Sequence, residues 1–367
     1  MAAFVITREE VPIRVTNAVP DLGDVVTFTV KQQPRHLARV NFIAKVTVTP
    51  GAGDAVVCDP GKDGLDGVLA SVVCNINDTT SGRRRCVEST GASLIAWSAR
   101  KGVATDRYTK RAIKPVSGVA GAQTHWVNTP VHFMDPTLPD TVAPVTALPM
   151  YDSGDRPRLN EELEFKLTLG PANLNLTTGT AALADLTAEL IYLENVGPKI
   201  PYVPTSLMQY DWKFLTGGKS EPFNVEKDGY LASLLFDAYV TTAPDNWDWI
   251  GGDPLNAAGR ILIKQDNTDI DEFSTLAALL ADDEYNWAAE YIASGAGIPR
   301  AQLGLTFMRD FLHTQPGTNG FLPYSMPRVW ADSSRVRLIG EDVKANAGYK
   351  VLVHKFLTPT LNTLAGI

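Results

Sequence analysis

The chain has 367 residues, 44% of them apolar and 20% charged, enough for two folded cores of roughly 150 to 200 residues each. A formal net charge of -8 argues against a protein that coats nucleic acid, because phosphate binding draws on clustered Lys and Arg and the counterions they release. No apolar run approaches the ~18 residues that cross a bilayer, and the opening MAAFVITREEVPIRV carries acids where a secretion signal carries an apolar core.

Along the chain, 24 Pro and 29 Gly punctuate short segments of apolar-polar alternation, the pattern of a many-stranded sandwich. Residues 1–20, with Pro12 and Pro20, precede the first well-patterned strand. That strand spans 39–49: Val40, Phe42, Ala44, Val46 and Val48 point one way, Asn41, Lys45, Thr47 and Thr49 the other, and Ile43 alone breaks the alternation. Leu163, Phe165, Leu167 and Leu169 alternate with Glu162, Glu164, Lys166 and Thr168, and residues 186–192 and 349–357 complete the set of half-buried antiparallel strands. Two segments switch to helical period. One follows Ser89 and Thr90 through Leu94, Ile95 and Trp97. The other spans 275–292, with Ser274 as N-cap. Cys58, Cys74 and Cys86 form no CxxC pair and leave one cysteine unmatched in any disulfide scheme, so all three read as thiols made in a reducing cytoplasm.

Self-comparison is more informative than any of these segments. LARVNFIAKV (37–46) resembles LASLLFDAYV (231–240) at five of ten positions, and each follows a Phe-x-Val, residues 28–30 and 223–225. STGASLIA (89–96) resembles STLAALLA (274–281), LPMY (148–151) resembles LPY (322–324), and 185–193 matches 349–357 by alternation. The four pairs keep their order and their offset shrinks steadily, as two collinear copies with shorter loops in the second would give. The boundary falls at GPKIPYVP (197–204), a stiff proline-rich linker. The division is an arm at 1–20, a first domain at 21–197, a linker at 198–204 and a second domain at 205–367. Each copy orders its strands around a midway helix, so the expected class is all-β: two tandem eight-stranded jelly-roll sandwiches with short inserted helices.

A search for chemistry returns little. GxSxG, HExxH, a Walker-type loop and a GxGxxG after a strand are all absent from the sequence. His125 and His132 are spaced by seven with no carboxylate or cysteine fixed beside them. Asp266, Asp269, Asp271 and Glu272 have the density of a calcium loop without its glycine and terminal glutamate, and read as a solvated turn. Asp282, Asp283 and Glu284 fall on the polar face of the second helix. Asp152, Asp155, Glu161 and Glu162 could supply a glycosidase pair, but a strand rim accounts for them. The expectation is no catalytic residue, no metal site and no cofactor.

The duplicated sandwich and the order of its segments resemble the double jelly-roll major capsid proteins of tailless icosahedral, membrane-containing viruses, the lineage of adenovirus hexon. The resemblance covers nearly the whole chain and rests on architecture, with no diagnostic motif. It implies a trimer whose six jelly rolls form a pseudo-hexagonal tile in a virion shell, assembled in the host cytoplasm, with minor capsid and vertex proteins and internal membrane lipids as partners and no sequence-specific contact to nucleic acid. On this reading Trp247 and Trp249 in DNWDWIGG anchor a subunit contact, although exposed aromatics on a β-sandwich loop also stack on sugars. Arg100, Lys101, Arg107, Lys110 and Arg111 form a loop that meets an acidic neighbouring subunit, with nucleic acid or lipid as the other readings. The family further implies that 1–20 is an arm or short helix outside the first barrel. It also implies that the strands bearing Cys74 and Cys86 belong to opposite sheets, keeping the thiols apart. The rival classes are a carbohydrate-binding or carbohydrate-active tandem sandwich and a viral spike or vertex protein.

Overall fold

A computed structural model of the chain describes residues 5–58, 64–78, 82–100, 118–135, 146–150, 160–194, 204–226, 230–240, 258–266, 268–272, 302–306 and 336–357. The chain forms two compact units, Met1–Pro204 and Thr205–Ile367.

In the first unit the long strands are β1 (Val5–Pro12), β2 (Val25–Lys31), β3 (His36–Thr49), β4 (Leu69–Asp78), β5 (Gly82–Ser89), β6 (Gln123–His132), β7 (Asn160–Leu169) and β8 (Thr180–Glu194), with helix α1 (Gly91–Arg100) between β5 and β6. They form two antiparallel runs, β1-β8-β3-β6 and β2-β7-β4-β5. The second unit contributes β9 (Thr205–Phe214), β10 (Phe223–Asn224), β11 (Tyr230–Val240), β12 (Arg260–Gln265), β13 (Thr268–Glu272), β14 (Gln302–Thr306), β15 (Val336–Val343) and β16 (Ala347–Phe356). Its runs are β9-β16-β11-β14 and β10-β15-β12-β13. Adding eight to every label of the first unit reproduces the second; the short strands Val57–Cys58, Leu148–Pro149, Leu176–Thr178 and Gly218–Lys219 lie outside this shared wiring. Each unit is an eight-stranded jelly roll, and the fold is a double jelly roll.

The internal matches seen in the sequence fall on equivalent elements. Residues 37–46 lie in β3 and 231–240 in β11, the Phe-x-Val triplets begin within β2 and at the start of β10, and 185–193 and 349–356 lie on β8 and β16. The segments 89–96 and 274–281 each follow the fifth strand of their unit; the second of them, the expected helix at 275–292 and the LPY match lie outside the described residues. In the first unit the helix begins one residue after Thr90, whose Oγ1 accepts from the Ser93 backbone N–H at 3.2 Å as an N-cap should. Gly91 is required there, since a Cβ would lie 2.7 Å from the Leu69 carbonyl oxygen. The helix buries Leu94, Ile95 and Trp97, and the Trp97 ring stands 5.7 Å from that of His132 on β6.

Each core sits between the two runs of its own unit. In the first, Phe42 on β3 meets Phe165 on β7 edge to face at 5.1 Å, and Phe28 on β2 stacks on Phe165 at 6.2 Å. In the second, Trp212 and Phe214 on β9 pack with Tyr349 on β16 and Phe236 on β11. The Trp212 indole N–H donates to the Glu221 carbonyl at 2.9 Å, so its one polar atom is satisfied on burial.

Two expectations are corrected. Residues 5–12 do not form an arm outside the first barrel: they are β1, paired along their length with β8 from Val5 opposite Glu194 to Pro12 opposite Thr187. VITREEVP hides this because an edge strand is half exposed and can carry charge on the water side without an apolar stripe. Cys74 and Cys86 do not lie on opposite sheets either, because β4 and β5 are adjacent antiparallel strands of one run. A connection of three residues selects a hairpin neighbour. Cys86 sits at a bulge beside the Cys74–Val87 pair, its thiol donating to the Cys74 carbonyl at 3.5 Å; both cysteines are free and buried.

Candidate functional site

The expected contact residues fall mostly where the chain is not described. Arg100 closes α1, whereas Lys101, Arg107, Lys110, Arg111, Trp247 and Trp249 lie outside the described residues. The geometry that can be read belongs to the sheet faces and edges.

On the run β1-β8-β3-β6, alternation sends Val40, Phe42, Ala44 and Val46 inward and turns Asn41, Ile43 and Lys45 outward. Register aligns the outward residues in rows: Glu10, Glu189, Asn41 and Pro130 form one, Pro12, Thr187, Ile43 and Asn128 the next. Glu189 keeps only 7% of its surface and Asn41 1%, so the carboxylate needs partners. Asn41 Nδ2 donates to Glu189 Oε2 at 2.5 Å and Arg8 Nη1 lies 3.4 Å from Oε1. Arg14 bridges Asp185 at 2.8 Å and donates to the Leu186 carbonyl, which fastens the chain just after β1 to β8. At the far end Arg35 contacts Glu194 at 3.5 Å and lies over the Tyr192 ring.

The other faces are compensated in the same local way. Arg83 and Asn75 both reach Glu164, Arg85 pairs with Glu88, and in the second unit Lys219 and Arg260 both reach Glu341. Such pairs neutralise charge without converging on a cavity.

Chemistry beyond docking finds little support among the described residues. Burial and the adjoining Cys86 push the Cys74 thiol well above its ordinary value, the opposite of an activated nucleophile. His125 and His132 are seven residues apart on one strand, which alternation turns to opposite faces, and no group of three potential metal ligands occurs among the described residues. Of the four acids read as a solvated turn, only Asp266, at φ +54°, sits in the turn of the β12-β13 hairpin; Asp269, Asp271 and Glu272 lie on strand β13 itself.

Sequence reasoning missed Trp126. It lies on the edge strand β6, 57% exposed, with Lys45 Nζ 5.5 Å from its ring centroid. The signal was present: QTHWVNTPVH alternates, and its even positions hold Thr124, Trp126 and Asn128 on the polar face.

No protein-family model and no curated protein matches the sequence. Solved structures do. The major capsid protein of Sulfolobus Turreted Icosahedral Virus (STIV) aligns over 99% of this chain and 100% of its own with a TM-score of 0.61 at 13% identity. The capsid protein of the virus PBCV-1 aligns over 97% and 94% with a TM-score of 0.56 at 10% identity. The major capsid protein of bacteriophage PM2 aligns over 96% and 99% with a TM-score of 0.52 at 11% identity. This chain therefore has the double jelly-roll fold of these viral capsid proteins along nearly its whole length.

Proposed function

We propose that the chain is a viral major capsid protein that trimerises into a pseudo-hexagonal capsomer and tiles an icosahedral shell over an internal membrane. The observation that carries this reading is the repetition of one eight-strand wiring within a single chain. Two quasi-equivalent sandwiches per chain give a threefold ring an approximately sixfold outline, and such an outline tiles a curved lattice. The full-length match to capsid proteins of three viruses supports it.

The partners are other copies of the chain, minor capsid and vertex proteins, and membrane lipids. The place of action is the virion, after assembly in the host cytoplasm, and no catalysis is involved. The 1–204 and 205–367 units supply two of the six jelly rolls of the tile, and Arg100 together with the segments bearing Lys101, Arg107, Lys110, Arg111, Trp247 and Trp249 contributes to contacts between copies. Light scattering on the purified chain should report about three times 39.8 kDa without strong dependence on concentration, and electron microscopy should show a six-cornered particle. A stable monomer that binds oligosaccharide would overturn the reading in favour of a carbohydrate-binding tandem sandwich.

A further inference from the structure

We propose that the outward face around Trp126 and Lys45 is a docking site for the acidic edge strand β13 of a second copy of this chain. The inference rests on the capsid reading and names a contact within that assembly.

Trp126 and Lys45 stand directly opposite each other on β6 and β3. The indole is 57% exposed, the one aromatic among the exposed large hydrophobics of the described residues, and the Lys45 ammonium lies over its ring. That contact favours one orientation of a large amphipathic side chain before any partner arrives, which lowers the ordering cost of binding. The Lys45 charge is left open for a partner. Asp185, the acid directly across the strand pair from Lys45, is already bridged to Arg14 at 2.8 Å, and no carboxylate bridges Lys45 among the described residues. Beside the pair, Ile43 is half-buried and Thr124 is exposed. An aromatic centre and one uncompensated cation within a polar rim have the anatomy of an interface hot spot.

The occupant that complements this patch is on the same chain. Strand β13, TDIDE, places Asp269, Asp271 and Glu272 within five residues, holds no base, and ends its run β10-β15-β12-β13, so that one side of its backbone lacks a strand neighbour in that run. The chain as a whole is acidic at -8, which makes an uncompensated cation beside an exposed Trp a selective contact for another copy. Joining β6 of the first unit to β13 of the second unit in the next copy uses two different patches. Such a heterologous contact repeats head to tail and can close as a ring of three.

Photocrosslinking of the full-length chain carrying Trp126→p-benzoylphenylalanine tests the contact. The expected product has twice the chain mass on a denaturing gel, with the crosslinked peptide containing 268–272 of a second copy. Crosslinks confined to the same chain, or to another segment of the partner, overturn the proposal. Independently, Lys45→Glu should raise the dissociation constant of the trimer, read by dilution in mass photometry, about tenfold, and adding Asp271→Lys should restore it. Lys45 is on the outer face, so the exchange leaves the core intact. Unchanged dissociation of Lys45→Glu beside a trimeric wild-type chain would overturn the docking site and leave the capsid reading standing. A wild-type chain that is monomeric at every concentration would overturn both.

Discussion

The two jelly rolls share a strand order and differ in what fills them. The first unit is centred on three phenylalanines drawn from both of its runs, with a buried helix against β6; the second is centred on Trp212, Phe214, Phe236 and Tyr349, three strands of one run. Only the third strand of each, 37–46 and 231–240, still shows its common pattern plainly. Wiring has outlasted core chemistry. A jelly roll is specified by the order in which strands cross between sheets and by an apolar inward face, and aromatic volume can be redistributed among the strands provided the interior stays filled.

The largest way to break this comparison is to empty one core at a time. Phe165→Ala removes the ring that touches both Phe28 and Phe42 and should cost ~3–5 kcal/mol; Trp212→Ala should cost about as much. Hydrogen exchange read by mass spectrometry decides whether the units are separate. Phe165→Ala should strip protection from peptides of β2, β3 and β7 while leaving β11 and β16 as in wild type, and Trp212→Ala should do the reverse. Equal loss in both units would mean that they unfold as one.

How far the molecule was legible in its sequence follows from the same difference. Strands with one wet face announce themselves, and β3, β7, β8 and β16 emerge from alternation. β1 does not, because at an edge its Arg8, Glu9 and Glu10 reach water and its apolar residues need not form a stripe. The neighbourhood of Cys74 and Cys86 was misplaced because pattern reports which face a residue takes and is silent on which strand lies alongside; the three-residue connection was the better guide. The expected contact loops, dense in Trp and Arg, lie outside the described residues apart from Arg100, whereas Trp126 on a regular strand is visible as a patch only once register brings Lys45 beside it.

A smaller effect sharpens the comparison through pH. His125 lies inward on β6 with 6% of its surface exposed and neither ring nitrogen hydrogen-bonded, and this burial lowers its pKa below the ordinary 6.5. A histidine whose folded-state value is depressed is neutral when folded, so its contribution to stability is complete above ~6.5 and is lost as pH falls from there through the folded value, at up to ~1.4 kcal/mol per pH unit. Acid should therefore loosen β6 first, since an edge strand is held on one side only. His125→Leu should flatten the pH dependence of unfolding below 6.5 relative to wild type without loss at pH 7.5, because it removes two unsatisfied nitrogens along with the charge. If the variant and the wild type lose stability in parallel between pH 7 and 5, the titrating group lies elsewhere.

The smallest expected effect concerns the strand that the sequence concealed. β1 is held by eight paired residues along β8, by Arg14 on Asp185, and by Arg8 on Glu189, where the Arg8 side chain is 68% exposed and the Glu189 side chain 10%. An exposed guanidinium at 3.4 Å contributes little, whereas a nearly buried carboxylate is costly to leave without donors. Asn41 at 2.5 Å supplies the shorter contact. Arg8→Ala should thus cost less than ~1 kcal/mol, and Asn41→Leu, which strands Glu189 beside an apolar group, should cost ~1–3 kcal/mol. Denaturant titration of the two variants gives the ranking. If Arg8→Ala proves the more damaging, β1 is pinned by its charge more than by its ladder, and the first unit depends on an electrostatic clasp at the very strand where the sequence shows no apolar pattern.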